Sequence, residues 1–74
     1  MSKLPRTRPD KIMKALKRAG FYLDRTTGSH YIFYKSDNLP PVCVPRHNRD
    51  LKVGTLRNIL RQAKMSVEEL IELL

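Results

Sequence analysis

An α+β fold is predicted, ordered α-β-β-β-α-α, with one three-stranded antiparallel sheet carrying its helices on one face. Three observations lead to it. Apolar residues recur at helical spacing up to Gly20, the pattern changes to strand-like runs between Phe21 and Val44, and helical spacing returns from Gly54 onward. At 74 residues the expectation is one domain spanning 1–74, with every functional group on a single scaffold. A chain this short buries only about 60% of its unfolded surface, so its core has to be compact.

Each element has its own signal. Thr7-Arg8-Pro9-Asp10 reads as a helix start, with Thr7 as N-cap, Pro9 in the first turn and Asp10 at the reciprocal capping position. Ile12, Met13, Leu16 and Ala19 form the apolar stripe of that helix, and Gly20 is its expected C′ residue, with Phe21 folding back onto it. Residues 1–6 read as a loose basic arm. Phe21 to Thr26 and Ser29 to Lys35 are rich in aromatic and β-branched residues, so they are expected to form a hairpin, with Gly28 supplying a positive φ at the turn. Ser36 to Pro41 is a loop by composition, and Val42-Cys43-Val44 is a short third strand ended by Pro45. The polar stretch Arg46 to Asp50 is expected to be irregular. A second helix is expected from Gly54-Thr55 to Ala63, capped by Thr55, with Leu56, Ile59, Leu60 and Ala63 on one face. Ser66-Val67-Glu68-Glu69 is a second capping box, opening a last short helix whose apolar side closes the core. Helices on one side leave the other sheet face open.

Charge narrows the function. Fifteen Lys and Arg oppose seven Asp and Glu, a net of +8. Three of the acids, Glu68, Glu69 and Glu72, lie in the last ten residues, which leaves 15 positive and 4 negative side chains, net +11, in residues 1–64. Such an excess points to a polyanionic partner, because each phosphate neutralised releases counterions. No apolar run approaches the ~20 residues that span a bilayer, and no apolar segment follows the charged start Met-Ser-Lys-Leu-Pro-Arg, so a cytoplasmic location without membrane contact is expected. The lone Cys43 rules out an internal disulfide and is expected to be a small buried hydrophobe.

Familiar enzyme signatures are missing: there is no P-loop and no dinucleotide fingerprint. One cysteine, two histidines and the isolated Asp10, Asp24, Asp37 and Asp50 offer no metal-site spacing, so neither a metal nor a cofactor is expected. His30 and His47 remain. RNA carries its own nucleophile, the 2′-OH, and a histidine beside cationic groups can move the protons that its attack requires. His30 follows Gly28-Ser29, where a glycine permits close approach of a phosphate. On a regular strand His30, Ile32 and Tyr34 share one face and Ser29, Tyr31 and Phe33 the other. Both faces carry apolar residues, so alternation leaves open whether His30 meets the core or the open side, where Tyr34 could stack on a base. Most lone histidines are ordinary surface or core residues. His47 has the same two readings: a loop residue, or a second proton donor or phosphate contact.

The ordered set Gly28-Ser29-His30-Tyr31-Ile32-Phe33, Val42-Cys43-Val44-Pro45-Arg46-His47 and Gly54-Thr55-Leu56-Arg57-Asn58-Ile59-Leu60-Arg61-Gln62-Ala63 resembles the HicA toxin family. Leu4-Pro5 and Ala19-Gly20-Phe21 fit the same layout, while Leu39-Pro40-Pro41 stands where the family more often has a short glycine turn. The resemblance implies a fold like the double-stranded RNA-binding domain and a ribosome-independent endoribonuclease that cuts mRNA. It also implies a HicB-type antitoxin that covers the active site and brings DNA binding to the complex indirectly. The family's Gly-Ser-His histidine falls on His30, the expected catalytic residue. Gly28, Ser29, Lys35, Arg46, His47, Arg57 and Arg61 are the expected RNA contacts. Two other readings use the same charge: a non-catalytic RNA-binding module of the double-stranded RNA-binding type, and a protein-interaction domain docking an acidic partner.

Overall fold

The computed structural model describes residues 4–74. It contains α1 (Pro9–Arg18), β1 (Tyr22–Thr26), β2 (His30–Tyr34), β3 (Val42–Pro45), α2 (Val53–Ala63) and α3 (Val67–Leu73). The strands form one antiparallel sheet in the order β1-β2-β3. This is the α-β-β-β-α-α order read from the sequence, with the open antiparallel sheet of a double-stranded RNA-binding-domain-like fold.

Alternation along β2 divides the two sides of the sheet. Phe33 is fully buried and Tyr31 packs against the same core, together with Val42 and Val44 of β3. Ile12, Ala15 and Leu16 of α1, Leu56, Ile59, Leu60 and Ala63 of α2, and Leu70 of α3 complete it. Ile32 is only 8% exposed yet lies outside this cluster, on the opposite face. His30 and Tyr34 share that face with it.

Two of the expected helix-end motifs are present. Gly20 has φ 100°, Phe21 N–H donates to Leu16 O at 2.9 Å and Gly20 N–H to Lys17 O at 3.0 Å. These are the two bonds of a Schellman motif, and Phe21, 4% exposed, makes its apolar contact with the core. Ser66 and Glu69 form the expected reciprocal capping box. The other two caps differ. Arg8 and Lys52 occupy the N-cap positions of α1 and α2 with no side-chain cap, so neither Thr7 nor Thr55 is a cap. Thr7 is instead buried: its hydroxyl donates to Pro5 O at 3.1 Å and its carbonyl accepts Leu51 N–H at 2.8 Å. With Leu4 also packed against the core, residues 4–7 are pinned rather than loose, and residues 1–3 of the expected arm lie outside the described residues. Thr55 sits inside α2, which begins at Val53.

Pro45 belongs to β3 rather than ending it, as the partner of His30. The ladder explains why a proline fits. Arg46 N–H donates inward to Ser29 O at 2.9 Å, whereas Cys43 N–H points outward to Gln62 Oε1 at 3.2 Å. Hydrogen-bonded and non-bonded pairs alternate, so the nitrogen of Pro45 faces the outer edge, where no ladder donor is needed. Cys43, half-buried, lies opposite Ile32 on the open side, not in the core cluster as expected.

Lys64 ends α2 with φ 53° in the left-handed region, an unfavourable conformation for a residue with a Cβ. Lys64→Gly should therefore stabilise the fold by about 0.5–1 kcal/mol. Thermal unfolding should show a rise in Tm of about 2–8 °C, and an unchanged or lower Tm would contradict this account of the cap.

Candidate active site

The turn of the β1–β2 hairpin is organised by one hydroxyl. Thr27 Oγ1 accepts the N–H groups of His30 at 2.9 Å and Ser29 at 3.3 Å, and donates to His30 O at 3.1 Å. The backbone adds Thr27 N–H to His30 O at 2.8 Å. A threonine hydroxyl thus closes a turn that the sequence reading assigned to Gly28. Among the described residues positive φ occurs at Gly20 and Lys64, and Gly28 is not one of them. A Cβ built on Gly28 meets nothing within 4 Å. The backbone does not need a glycine here, so Gly28→Ala should leave stability unchanged or raise it by up to about 1 kcal/mol. A loss of more than that in chemical denaturation would show an unrecognised constraint at the turn.

His30 begins β2 on the open face and is exposed. Ser29 Oγ lies 2.9 Å from its Nδ1. A hydroxyl can donate to a bare ring nitrogen or accept from a protonated one. This bond therefore survives in either charge state of the ring, and Nε2 lies on the far side for a substrate. Both His30 backbone groups are tied to Thr27, so the ring is carried on a fixed base.

Arg46 ties the same end of the sheet together from β3. Its Nη1 donates to Thr27 O at 2.8 Å, and its guanidinium lies 5.5 Å from the centre of the Tyr31 ring. Tyr31 points to the helix side, so the charge of Arg46 sits at the rim of the turn on the side away from His30. His47 follows on the exposed loop, and its Nδ1 accepts Arg49 N–H at 3.1 Å. With Nδ1 so occupied, the neutral ring carries its proton on Nε2 and acts there as a donor. Gly28, Tyr31, Arg46, His47 and Asn48 line a shallow depression beside the turn.

The remaining expected contacts are elsewhere. Lys35 lies beyond Tyr34, about 16 Å along the strand from His30 at the usual rise per residue, and its ammonium sits 5.7 Å from the centre of the Phe21 ring. Arg57 and Arg61 line a groove between α2 and the start of α3 with Asn58, Met65 and Val67. Arg61 also donates to Asn58 Oδ1. No residue of the Gly28–His30 turn lines that groove, so these arginines form a separate basic surface.

One residue of the His30 face was missed. Leu23 pairs with Phe33, but Arg25 pairs with Ile32, so Asp24 is an extra residue in β1. This β-bulge turns Arg25 onto the face of Ile32 and His30. Regular alternation from Leu23 would send Arg25 toward the helices, and a charge at an inward position was the available sign of a bulge.

The family comparison bears on this hairpin. The family model described as HicA toxin of bacterial toxin–antitoxin systems matches residues 9–65. The chain belongs to the HicA toxin family. No curated protein matches it. The matched span includes His30, Arg25, Arg46 and both α2 arginines, and leaves out α3. Membership makes this HicA chain the toxin of a toxin–antitoxin system, with an antitoxin as counterpart. Among the described residues no three His, Cys, Asp or Glu side chains gather to hold a metal ion, and no helix is long and apolar enough to cross a membrane.

Proposed function

We propose that this HicA toxin is an endoribonuclease that cleaves mRNA without the ribosome and without a metal ion, using His30 as its acid–base residue. The observation that carries the reading is the exposed His30 ring on the open sheet face, held through Nδ1 by Ser29 within Gly28-Ser29-His30. The 2′-oxygen of one ribose bonds to the adjacent phosphorus as the bond from phosphorus to the 5′-oxygen breaks. One proton leaves the 2′-hydroxyl and one arrives at the leaving oxygen. His30 Nε2 handles one of these transfers, and the cationic surface stabilises the crowded phosphate.

Binding follows from the same face. Tyr22 and Tyr34 lie side by side at its far end, ring centres 6.5 Å apart, with Tyr22 56% exposed. Unstacked bases can lie against such rings. Gly28 and Ser29 contact the RNA strand beside His30, Arg46 and His47 contact it across the rim of the turn, and Lys35 and the pair Arg57 and Arg61 add more distant phosphate contacts. Residues 1–74 act as one domain in the cytoplasm. A HicB-type antitoxin silences the chain by covering the His30 face, and DNA is met through that antitoxin alone.

The test is purified protein incubated with RNA, wild type beside His30→Ala, each with and without chelator. Wild-type products that persist in chelator and disappear in the variant are expected. Binding without products would identify a non-catalytic RNA-binding module instead, and loss on chelation restored by added metal would overturn the metal-free mechanism.

A further inference from the structure

The bulge in β1 does more than interrupt a ladder. In a bulge of this kind two successive residues oppose one partner residue, here Asp24 and Arg25 opposite Ile32. Consecutive strand residues normally point to opposite faces. Here they point together, and Arg25 Nη1 bonds Asp24 Oδ2 at 3.1 Å. The guanidinium is nevertheless accessible, the Arg25 side chain being 64% exposed and that of Asp24 35%. His30 lies two residues from Ile32 on the same strand and face. Arg25 and His30 are therefore diagonal neighbours, with backbones roughly 7–8 Å apart. Of the cations around the hairpin, Arg46 is held over Tyr31 on the helix side, and Lys35 is at the other end of β2. Arg25 is the cation that the register brings onto the His30 face.

We propose that Arg25 binds a phosphate of the RNA strand beside His30, and that Asp24 holds its guanidinium on this face until that phosphate displaces it. Arginine presents paired donors to a phosphate in the same planar fork that it offers a carboxylate, so Asp24 occupies the place the phosphate takes. An exposed ion pair is weak enough to be exchanged. The two acidic and basic neighbours then have opposite effects on RNA affinity: Arg25 raises it, and Asp24 lowers it by competing for the arginine and repelling the incoming anion.

This proposal rests on the nuclease reading for its substrate, but its test separates the two. Affinity for a labelled single-stranded RNA is measured over a salt series in the His30→Ala background, where no cleavage intervenes. Adding Arg25→Ala should weaken binding about tenfold and reduce the slope of log affinity against log salt by about 0.7, the contribution of one single-strand phosphate contact. Arg25→Lys should keep the slope and recover part of the affinity. Asp24→Asn should tighten binding about two- to fivefold. Unchanged affinity and slope in Arg25→Ala, or unchanged or weaker binding in Asp24→Asn, would overturn the proposal. Cleavage by wild type with equal cleavage by the single Arg25→Ala variant would overturn it too, and leave the nuclease reading standing. If wild type does not cut, the nuclease reading fails, and the binding series still decides for or against Arg25.

Discussion

His30→Ala should lower RNA cleavage by about 10²–10⁴-fold, the usual cost of removing a positioned acid–base group. The same substitution should leave the melting temperature nearly unchanged, because His30 is exposed. Rate and stability therefore separate at this position. The hydrogen bonds that hold the turn run through the His30 backbone and Thr27, so they remain when the ring is removed. Single-turnover cleavage of a labelled RNA, read beside a thermal melt, measures both quantities in one preparation. A variant that cuts at the wild-type rate would remove His30 from the chemistry. A variant that has unfolded would contradict the geometry of the turn.

Phe33→Ala should cost about 3–5 kcal/mol, through lost burial and the cavity left behind. Phe33 is fully buried at the middle of the central strand, paired with Leu23 on one side and Val42 on the other. A domain of this size has a total stability of about 4–11 kcal/mol. The variant should therefore be marginally folded at 25 °C, with a much earlier midpoint in urea. Phe33→Leu keeps most of the volume and should cost less, which separates the cavity from local strand disruption. A loss below about 1 kcal/mol in Phe33→Ala would mean that the helices do not close over β2 as described.

Element order, the αL glycine and the Ser66 cap were legible because each rests on a local rule. Gly20 has no other way to end α1 while Phe21 turns into the core, and Ser66 and Glu69 need only their three-residue spacing. The face of His30 was not legible. Alternation groups it with Ile32 and Tyr34, and an apolar Ile32 is as compatible with a core as with a half-covered outer face. What decides is the pairing of Phe33 with Val42 under the helices, a contact between segments nine residues apart. Thr7 misled because threonine is a good cap and also a good buried hydroxyl. The choice was made by a carbonyl bond to Leu51, 44 residues away. The Arg25 side of the site was hidden for a similar reason, since a single extra residue reverses the parity of everything after it. The catalytic reading of His30 came from family resemblance, not from the pattern of the strand.

The two outer strands are finished differently, and together they bear on how this protein stays apart from its own copies. Along the free side of β3, Pro45 has no N–H and that of Cys43 is taken by Gln62. A strand from another molecule would find no donor there to pair with. Along the free side of β1, the bulge bends the chain and places a charged pair in the middle of the strand. Both edges thus carry features that disfavour extension of the sheet into a second molecule, which helps guard a small, half-uncovered sheet against stacking edge to edge into aggregates. With both edges blunted, the face is the side of this sheet best suited to meet nucleic acid or protein.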